Sequence, residues 1–145
     1  MADVVTTGRV LGLDIGTRRI GVALSDPGRV LASPLTLIEP SDQATAIQAI
    51  CHLVRQHEVG RIVVGMPYSL DGTVGQQARR VLDFVAALSQ QAGVPVEAWD
   101  ERLTTVIAER RIAEAHVRRG KRRGLVDAAA AAVILQGYLD SQWSE

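Results

Sequence analysis

The sequence predicts an α/β fold in which helices flank a five-stranded mixed sheet. Within residues 9–38, short segments alternate apolar and polar residues, as strands do, and turn residues join them. After residue 40, segments whose apolar residues recur at helical spacing are separated by short, continuous apolar runs typical of buried strands. The chain has 145 residues and is 47% hydrophobic, which is enough for one domain with a sizeable core. We therefore expect a single domain over residues 1–145, with residues 1–8 flexible and the element order β-β-β-α-β-α-β-α-α.

The opening segment predicts three antiparallel strands that form a meander. Gly16–Arg19 and Asp26–Gly28 carry turn residues, and Pro34 suits an edge strand or a bulge. The predicted strands cover residues 9–15, 20–25 and about 30–38.

The next segment predicts two helices with a buried strand, residues 61–65, between them. Ser41 and Asp42 can cap the first helix, and Gly60 can end it. Thr73–Gln76 resembles a capping box that opens the second helix, which ends at Gly93. The predicted apolar positions are Ile47, Ile50, Cys51 and Val54 in the first helix, and Ala78, Val81, Leu82, Val85 and Leu88 in the second.

The remaining sequence predicts a fifth strand and two further helices. They cover residues 94–99, 104–115 and about 126–141. Because helices separate the later strands, their connections are expected to be right-handed parallel crossovers, which makes the sheet mixed.

Composition narrows the classes of function. The single cysteine, Cys51, excludes an internal disulfide and fits a reducing cytosol. The first residues lack the basic and apolar regions of a signal peptide, and no apolar run approaches the roughly 20 residues that span a bilayer. We therefore expect a cytoplasmic protein without a membrane partner.

Three acidic residues adjoin sequence that forms the core. Asp14 ends the apolar run Leu11–Gly16, Glu101 follows the fifth strand, and Asp127 opens an alanine-rich helix. Isolated buried carboxylates are costly, whereas three together are tolerable if divalent cations neutralise them. Each could instead serve a local role, as a turn residue, a solvated strand end or a helix cap.

The spacing of the last helix points Asp127 towards the sheet. Positions three, four, seven and eleven residues later form an apolar stripe, namely Ala130, Ala131, Ile134 and Tyr138. Small alanines let the helix lie close to the sheet, which could bring Asp127 within reach of Asp14. Asp100 and Glu101 point to opposite sides of an extended strand, so only one of them can face such a site.

A convergence of these carboxylates predicts a hard-cation site. Oxygen-only ligands select Mg²⁺ or Mn²⁺ over Zn²⁺. Two such ions could activate a water and stabilise the leaving oxygen of a displacement at phosphorus, with Asp14 as the bridging ligand. The pattern therefore indicates a metal-dependent enzyme that cuts phosphodiesters.

Basic residues near the acids could contact the phosphates of a nucleic acid. Net charge is zero, so any such attraction is local. A basic segment without acids, residues 116–124, precedes Asp127, although it could also be a solvated loop. The candidate nucleic-acid-binding residues are Arg18, Arg19, Arg102, Arg118, Arg119, Lys121, Arg122 and Arg123.

The same residues carry a resemblance to a known family. Four blocks resemble the signature motifs of the YqgF/RuvX family of Holliday-junction-resolvase-like proteins, whose members are described as nucleases of pre-16S ribosomal RNA. The blocks are Gly12–Ala23, Val64–Pro67 with Asp71-Gly72, Asp100–Thr105 and Val126–Gln136. The resemblance covers roughly residues 9–139 and implies a ribonuclease H-like fold, which agrees with the element order.

The resemblance also implies an acidic triad and a role. The family's catalytic acids fall on Asp14, Glu101 and Asp127, so resemblance selects Glu101 over Asp100. True resolvases of the superfamily carry a further acid three residues before the last one, where this chain has Gly124. The implied function is maturation of the 5′ end of pre-16S ribosomal RNA, by a monomer or a homodimer.

Other functions remain open from the sequence. One is a recombination or repair nuclease that acts on DNA. Another is a nucleotide-binding or phosphotransfer module, because Asp14–Thr17 also resembles the first phosphate loop of the actin and sugar-kinase superfamily; that function needs a second lobe. The third is a non-catalytic RNA-binding factor in ribosome assembly, for which a platform of stacking aromatic residues is lacking.

Overall fold

A computed structural model describes residues 8–68, 74–101 and 123–143 of the chain, except for the side chains of residues 123–127. The described strands form one five-stranded sheet in the order β3-β2-β1-β4-β5. Their bounds are β1 Arg9–Ile15, β2 Ile20–Ser25, β3 Ala32–Ile38, β4 Val59–Met66 and β5 Val96–Asp100. β1 to β3 pair antiparallel, whereas β4 pairs parallel with both β1 and β5, so the predicted mixed sheet is confirmed.

The described helices are α1 Gln43–Gln56, α2 Gln76–Ser89 and α3 Arg123–Trp143. The predicted helix over residues 104–115 lies outside the described residues. No described helix is both long and apolar enough to cross a membrane.

The sheet separates two apolar clusters, and strand alternation assigns each residue to one of them. Leu11 and Leu13 of β1 pack in the larger cluster with α1 and α2. Val10, which points to the opposite face, packs in the smaller cluster with α3 residues such as Ala131 and Leu135. We call these two sides the α1/α2 face and the α3 face.

The start of α1 follows the prediction, but its end does not. Asp42 is the N-cap, and its Oδ1 accepts a hydrogen bond of 2.8 Å from the backbone N–H of Thr45. The helix ends at Gln56, and Gly60, which was expected to end it, lies inside β4. The backbone reverses instead at Glu58, which adopts a positive φ of 55°.

The prediction for α2 was wrong in its start, its end and one buried position. The helix ends at Ser89, four residues before Gly93. The helix begins at Gln76 with Gly75 as its N-cap, and no side chain caps it, so the capping box does not open this helix. Thr73 itself lies outside the described residues. Leu82, expected on the buried stripe, is 40% exposed, whereas Phe84 is buried. Phe84 lies three residues after Val81 and four before Leu88, so it belongs to the same buried stripe, although the prediction did not include it.

Candidate active site

Asp14 lies at the carboxyl end of the central strand β1. Its Cα pairs with that of Gly21 on β2, and the residue is half-buried. Alternation places Asp14 on the same face as Val10 and Gly12, which is the α3 face. The strand therefore presents this carboxylate on the α3 face of the sheet.

Glu101 directly follows β5 and lies over Gly65 of β4. A Cβ built on Gly65 would lie 3.0 Å from Oε2 and 3.3 Å from Cγ of Glu101. Trp99 packs in the α3 cluster and Val96 in the α1/α2 cluster, so alternation along β5 directs Asp100 away from the α3 face. Of the two neighbouring acids, Glu101 is the one whose carboxylate lies on the side of Asp14.

The parallel register of β1 and β4 brings Asp14 and Glu101 to one place. Leu13 pairs with Val64, so one step further along both strands Asp14 lies beside Gly65. The side chain of Glu101 covers that glycine. Ligand sites of α/β sheets commonly lie at such carboxyl ends of strands. The structure therefore brings two of the three predicted acids together on one face and one edge of the sheet.

Helix α3 packs closely on this face at Gly12. A Cβ built on Gly12 would lie 2.8 Å from Cβ of Leu135 and 3.3 Å from the carbonyl oxygen of Ala131. The space that Gly12 leaves beside Asp14 is therefore filled by the helix and not by an ion. The alanines keep this approach short, as the sequence suggested.

The direction in which α3 crosses the sheet shows near which edge its first turns lie. Ile134 lies over Gly65, at the carboxyl edge of the parallel strands. Later residues of α3 contact the turn between β2 and β3, which lies at the opposite edge of the sheet. The side chain of Gln136 accepts a hydrogen bond from the N–H of Ala32, and the indole of Trp143 donates one to the carbonyl of Arg29. The helix therefore starts near the carboxyl edge and runs towards the amino edge of β1.

Asp127 belongs to the early turns of α3, four residues before Ala131. The backbone thus places this residue towards the edge that carries Asp14 and Glu101. Its side chain is not among those described, so convergence of three carboxylates stays a prediction. Among the side chains that the structure does describe, no group of three His, Cys, Asp or Glu residues could hold a metal ion.

The chemistry of the two described acids fits a hard cation. Both offer carboxylate oxygens, which Mg²⁺ and Mn²⁺ prefer, and these two ions commonly keep several waters and need few protein ligands. Gly65 supports this fit because the absence of a Cβ is what allows Glu101 to lie against β4. Asp14 and Glu101 are thus two described carboxylates whose chemistry suits such an ion.

The predicted basic residues are only partly described. Arg18 is exposed in the turn between β1 and β2, and Arg19 forms an ion pair with Glu39 at 3.8 Å. Arg123 begins α3. The other candidates lie outside the described residues, namely Arg102, Arg118, Arg119, Lys121 and Arg122.

A second polar cluster lies on the α3 face at the other edge of the sheet. Arg61 and Glu97 form an ion pair of 2.8 Å, and the Tyr138 hydroxyl donates to the same Glu97 oxygen at 3.3 Å. Burial, followed by the negative charge of Glu97, raises the pKa of Tyr138. These groups satisfy one another and stabilise the contact of α3 with β4 and β5.

Gly65 is the site residue that the reasoning from sequence did not single out. It interrupts the apolar run Val63–Met66, and an isolated glycine in a strand often marks a close approach of other groups. That signal was present, but nothing in the local sequence names Glu101, 36 residues later, as the group that approaches.

Comparison with known proteins identifies the family. The family model described as "RuvX: Holliday junction resolvase" matches residues 8–141. A protein of Roseiflexus sp. named "Putative pre-16S rRNA nuclease" is 48% identical over 135 residues, which are 93% of this chain and 96% of the relative. A protein of Desulforamulus reducens with the same name is 45% identical over 133 residues, 92% of this chain and 97% of the relative.

Solved structures confirm the predicted fold. T. thermophilus RuvC, solved with a Holliday junction substrate, matches with a TM-score of 0.63 at 18% identity, covering 94% of this chain and 96% of that one. The Holliday junction resolvase of fowlpox virus matches with a TM-score of 0.55 at 11% identity, over 92% of this chain and 99% of that one. The family model and the relatives show that this chain belongs to the family described as "RuvX: Holliday junction resolvase", a family of nucleases.

Proposed function

We propose that this protein is a divalent-metal-dependent nuclease that matures the 5′ end of pre-16S ribosomal RNA. The observation that carries the proposal is the placement of Asp14 and Glu101 on either side of Gly65, on one face and at one edge of the sheet. Relatives at 44–48% identity named for pre-16S rRNA support this choice of substrate.

The roles of the residues follow from their positions. Asp14 lies on the central strand β1, and Glu101 approaches it from the end of β5, across Gly65 of β4. Asp127 is proposed as the third ligand, from the early turns of α3. When bound, Mg²⁺ or Mn²⁺, as two ions, would supply an activated water and stabilisation of the leaving oxygen.

Binding of the phosphate backbone is assigned to the basic residues near this edge. Arg18 is exposed in the turn that directly follows the strand of Asp14. Arg123 and the basic residues that precede it connect in sequence to the helix of Asp127. Such contacts position a nucleic acid without reading its sequence, which suits structured RNA.

Resolution of branched DNA is the second candidate function. The family description and the similarity to RuvC favour it. Against it stands Gly124, which occupies the position where resolvases of the superfamily carry a fourth acid. We therefore place RNA first, and we propose a cytoplasmic, single-domain protein that acts as a monomer or a homodimer.

A cleavage assay with matched variants tests the proposal. End-labelled RNA that spans the 5′ end of 16S rRNA, and a four-way DNA junction, are incubated with Mn²⁺ or Mg²⁺. We expect the RNA to be cut, and cutting to be lost with EDTA, with Asp14→Asn and with Glu101→Gln. Asp100→Asn is the matched control and should retain activity. Cleavage that persists in Asp14→Asn would overturn the proposal, and cleavage of the junction alone would favour the second candidate.

A further inference from the structure

A cavity of about 530 Å³ opens beside the turn that follows Asp14, on the α1/α2 face. It lies between the turn from β1 to β2, the segment from β3 to α1, and Phe84 of α2. Small-molecule sites commonly occupy about 300–1,000 Å³, so the cavity has the size of a binding site. None of the roles assigned above to Asp14, Glu101 or Asp127 uses it.

The floor of the cavity is apolar and its rim is polar. Ile15, Ile20, Ala46 and Phe84 line the inner part, where the last three are 1–6% exposed. Exposed polar side chains surround the opening, among them Ser41 and Gln43. A flat ring with polar edges, such as a nucleobase, matches an apolar floor with hydrogen-bonding groups at its rim.

The charges of the lining distinguish a base from a phosphate. Glu39 and Asp42 both line the wall. Glu39, 67% exposed, pairs with Arg19 at 3.8 Å, and Asp42 Oδ1 caps α1. A carboxylate has about four acceptor positions, so both groups can accept further hydrogen bonds. Carboxylates repel a phosphate but accept hydrogen bonds from the exocyclic amino group of a base, as with N4 of cytosine. Arg18, the cation at the mouth, can contact the phosphate of the same nucleotide.

The position of the cavity links it to the acids. Asp14 and Ile15 are neighbours that point to opposite faces of β1, so the cavity and the carboxylates lie on the two sides of one strand end. A nucleic-acid strand that crosses the turn at Gly16–Arg19 reaches both. Only an unpaired nucleotide can place its base in such a pocket, because a paired base is held in its helix.

We propose that this cavity binds one unpaired nucleotide next to the scissile phosphate, and that it prefers bases with an exocyclic amino group over uracil. The proposal rests on the proposed nuclease function for its biological meaning. It deepens that function by specifying a single-stranded segment at the cleavage site. The cavity itself can be tested without cleavage.

The test is an NMR titration of the ¹⁵N-labelled protein with cytidine and uridine 5′-monophosphates in EDTA. We expect saturable shifts confined to the amides of residues 15–18 and 39–46. Cytidine monophosphate should bind about three- to tenfold more tightly than uridine monophosphate, the difference expected for one hydrogen bond. Glu39→Gln should reduce that preference, and Gln43→Ala should weaken binding of both nucleotides.

Gln48→Ala provides the matched control, because Gln48 is exposed on the same helix and does not line the cavity. It should bind like the unmodified protein. Absence of shifts around the cavity, or equal effects of Gln43→Ala and Gln48→Ala, overturns the pocket while leaving the nuclease proposal intact. If the protein binds the nucleotides but does not cut RNA, the pocket proposal is supported and the nuclease proposal is overturned.

Discussion

The carboxylate of Glu101 occupies the space that a side chain on Gly65 would need. A Cβ at Gly65 would lie 3.0 Å from Glu101 Oε2 and 2.7 Å from Cδ1 of Ile134. Real Cβ atoms rarely approach other atoms so closely, so either neighbour must shift if one is added. The position of an acid at one strand end thus depends on the absence of a side chain on the adjacent strand.

Gly65→Ala should therefore reduce both the rate of cleavage and the stability of the protein. We expect activity to fall about tenfold, because Glu101 need give way by only a few tenths of an ångström, whereas a displacement of about 1 Å can cost about 100-fold. The overpacking should cost about 1–3 kcal/mol of unfolding free energy. Cleavage rates and urea unfolding of the same preparations measure the two effects.

The double variant Gly65→Ala/Ile134→Val separates the two contacts. Valine lacks the Cδ1 atom of Ile134, so stability should recover in part, while the new methyl group still displaces Glu101. Activity should therefore stay low. Recovery of activity together with stability would show that Gly65 serves packing alone.

Asp42→Ala should lower the melting temperature, whereas Asp42→Asn should largely preserve it. Asp42 accepts the N–H of Thr45 at the start of α1, and asparagine can cap a helix in the same way. Thermal unfolding followed by circular dichroism distinguishes the two variants. Equal losses in both would indicate that the charge matters and not the cap.

The same cap predicts a dependence on acid pH. The hydrogen bond from the backbone of Thr45 holds the pKa of Asp42 below its ordinary value of 3.8. A lowered pKa in the folded state means that the stabilisation is present above that ordinary value and is lost as pH falls through the lowered one. Asp42→Asn should lack this part of the acid-induced loss, which melting curves between neutral pH and strong acid can measure.

Tyr138 predicts a loss of stability at alkaline pH. Burial raises the pKa of its phenol above 10.0, so the folded state favours the neutral form. The stabilisation is present below that value and is lost as pH rises through the higher folded pKa. Tyr138→Phe removes the hydrogen bond to Glu97, so its free energy of unfolding at neutral pH should be lower by about 0.5–1.5 kcal/mol.

Stability measured at alkaline pH distinguishes Tyr138→Phe from the unmodified protein more clearly than stability at neutral pH. The free energy of unfolding of Tyr138→Phe should decline less steeply above pH 10 than that of the unmodified protein. Parallel declines would contradict the assigned environment of the phenol. Chemical unfolding at several alkaline pH values measures both curves.

Neutralising Lys121, Arg122 and Arg123 with glutamine should weaken RNA binding and flatten its dependence on salt. Each phosphate contact to a single strand contributes about 0.7 to the slope of log affinity against log salt, so three contacts contribute about 2. The matched control replaces three exposed arginines of α1 and α2, namely Arg55, Arg79 and Arg80. An unchanged slope in the first variant would show that this segment does not contact phosphate.

Local sequence signals predicted much of the fold, because they act through neighbouring residues. The bounds of β1 and β2 and the cap at Asp42 follow from alternation and from capping chemistry, and the structure confirms them. The prediction for Gly60 was wrong because glycine can end a helix or lie in a strand. Here it lies in β4 as the extra residue between Val59 and Arg61, which pair with Arg9 and Val10 of β1. The prediction for Leu82 was wrong because helical spacing alone does not determine which residues at the border of an apolar stripe the sheet buries.

The site was predictable in its residue types but not in its geometry. Apolar sequence around Asp14 indicated an acid at a strand end, whereas the choice between Asp100 and Glu101 came from family resemblance. The structure adds the physical reason, which is the alternation along β5 and the space that Gly65, without a side chain, leaves for Glu101. Long-range register between β1 and β4 creates that arrangement, and no short motif encodes it.

Crystals of the protein grown with Mn²⁺ test most directly whether the three acidic residues bind a common metal ion. Anomalous scattering locates the ion independently of any assay. We expect anomalous peaks coordinated by Asp14, Glu101 and Asp127, which disappear in crystals of Asp14→Asn. Manganese bound elsewhere, or a carboxylate of Asp127 too distant to share an ion with the other two, would contradict this expectation.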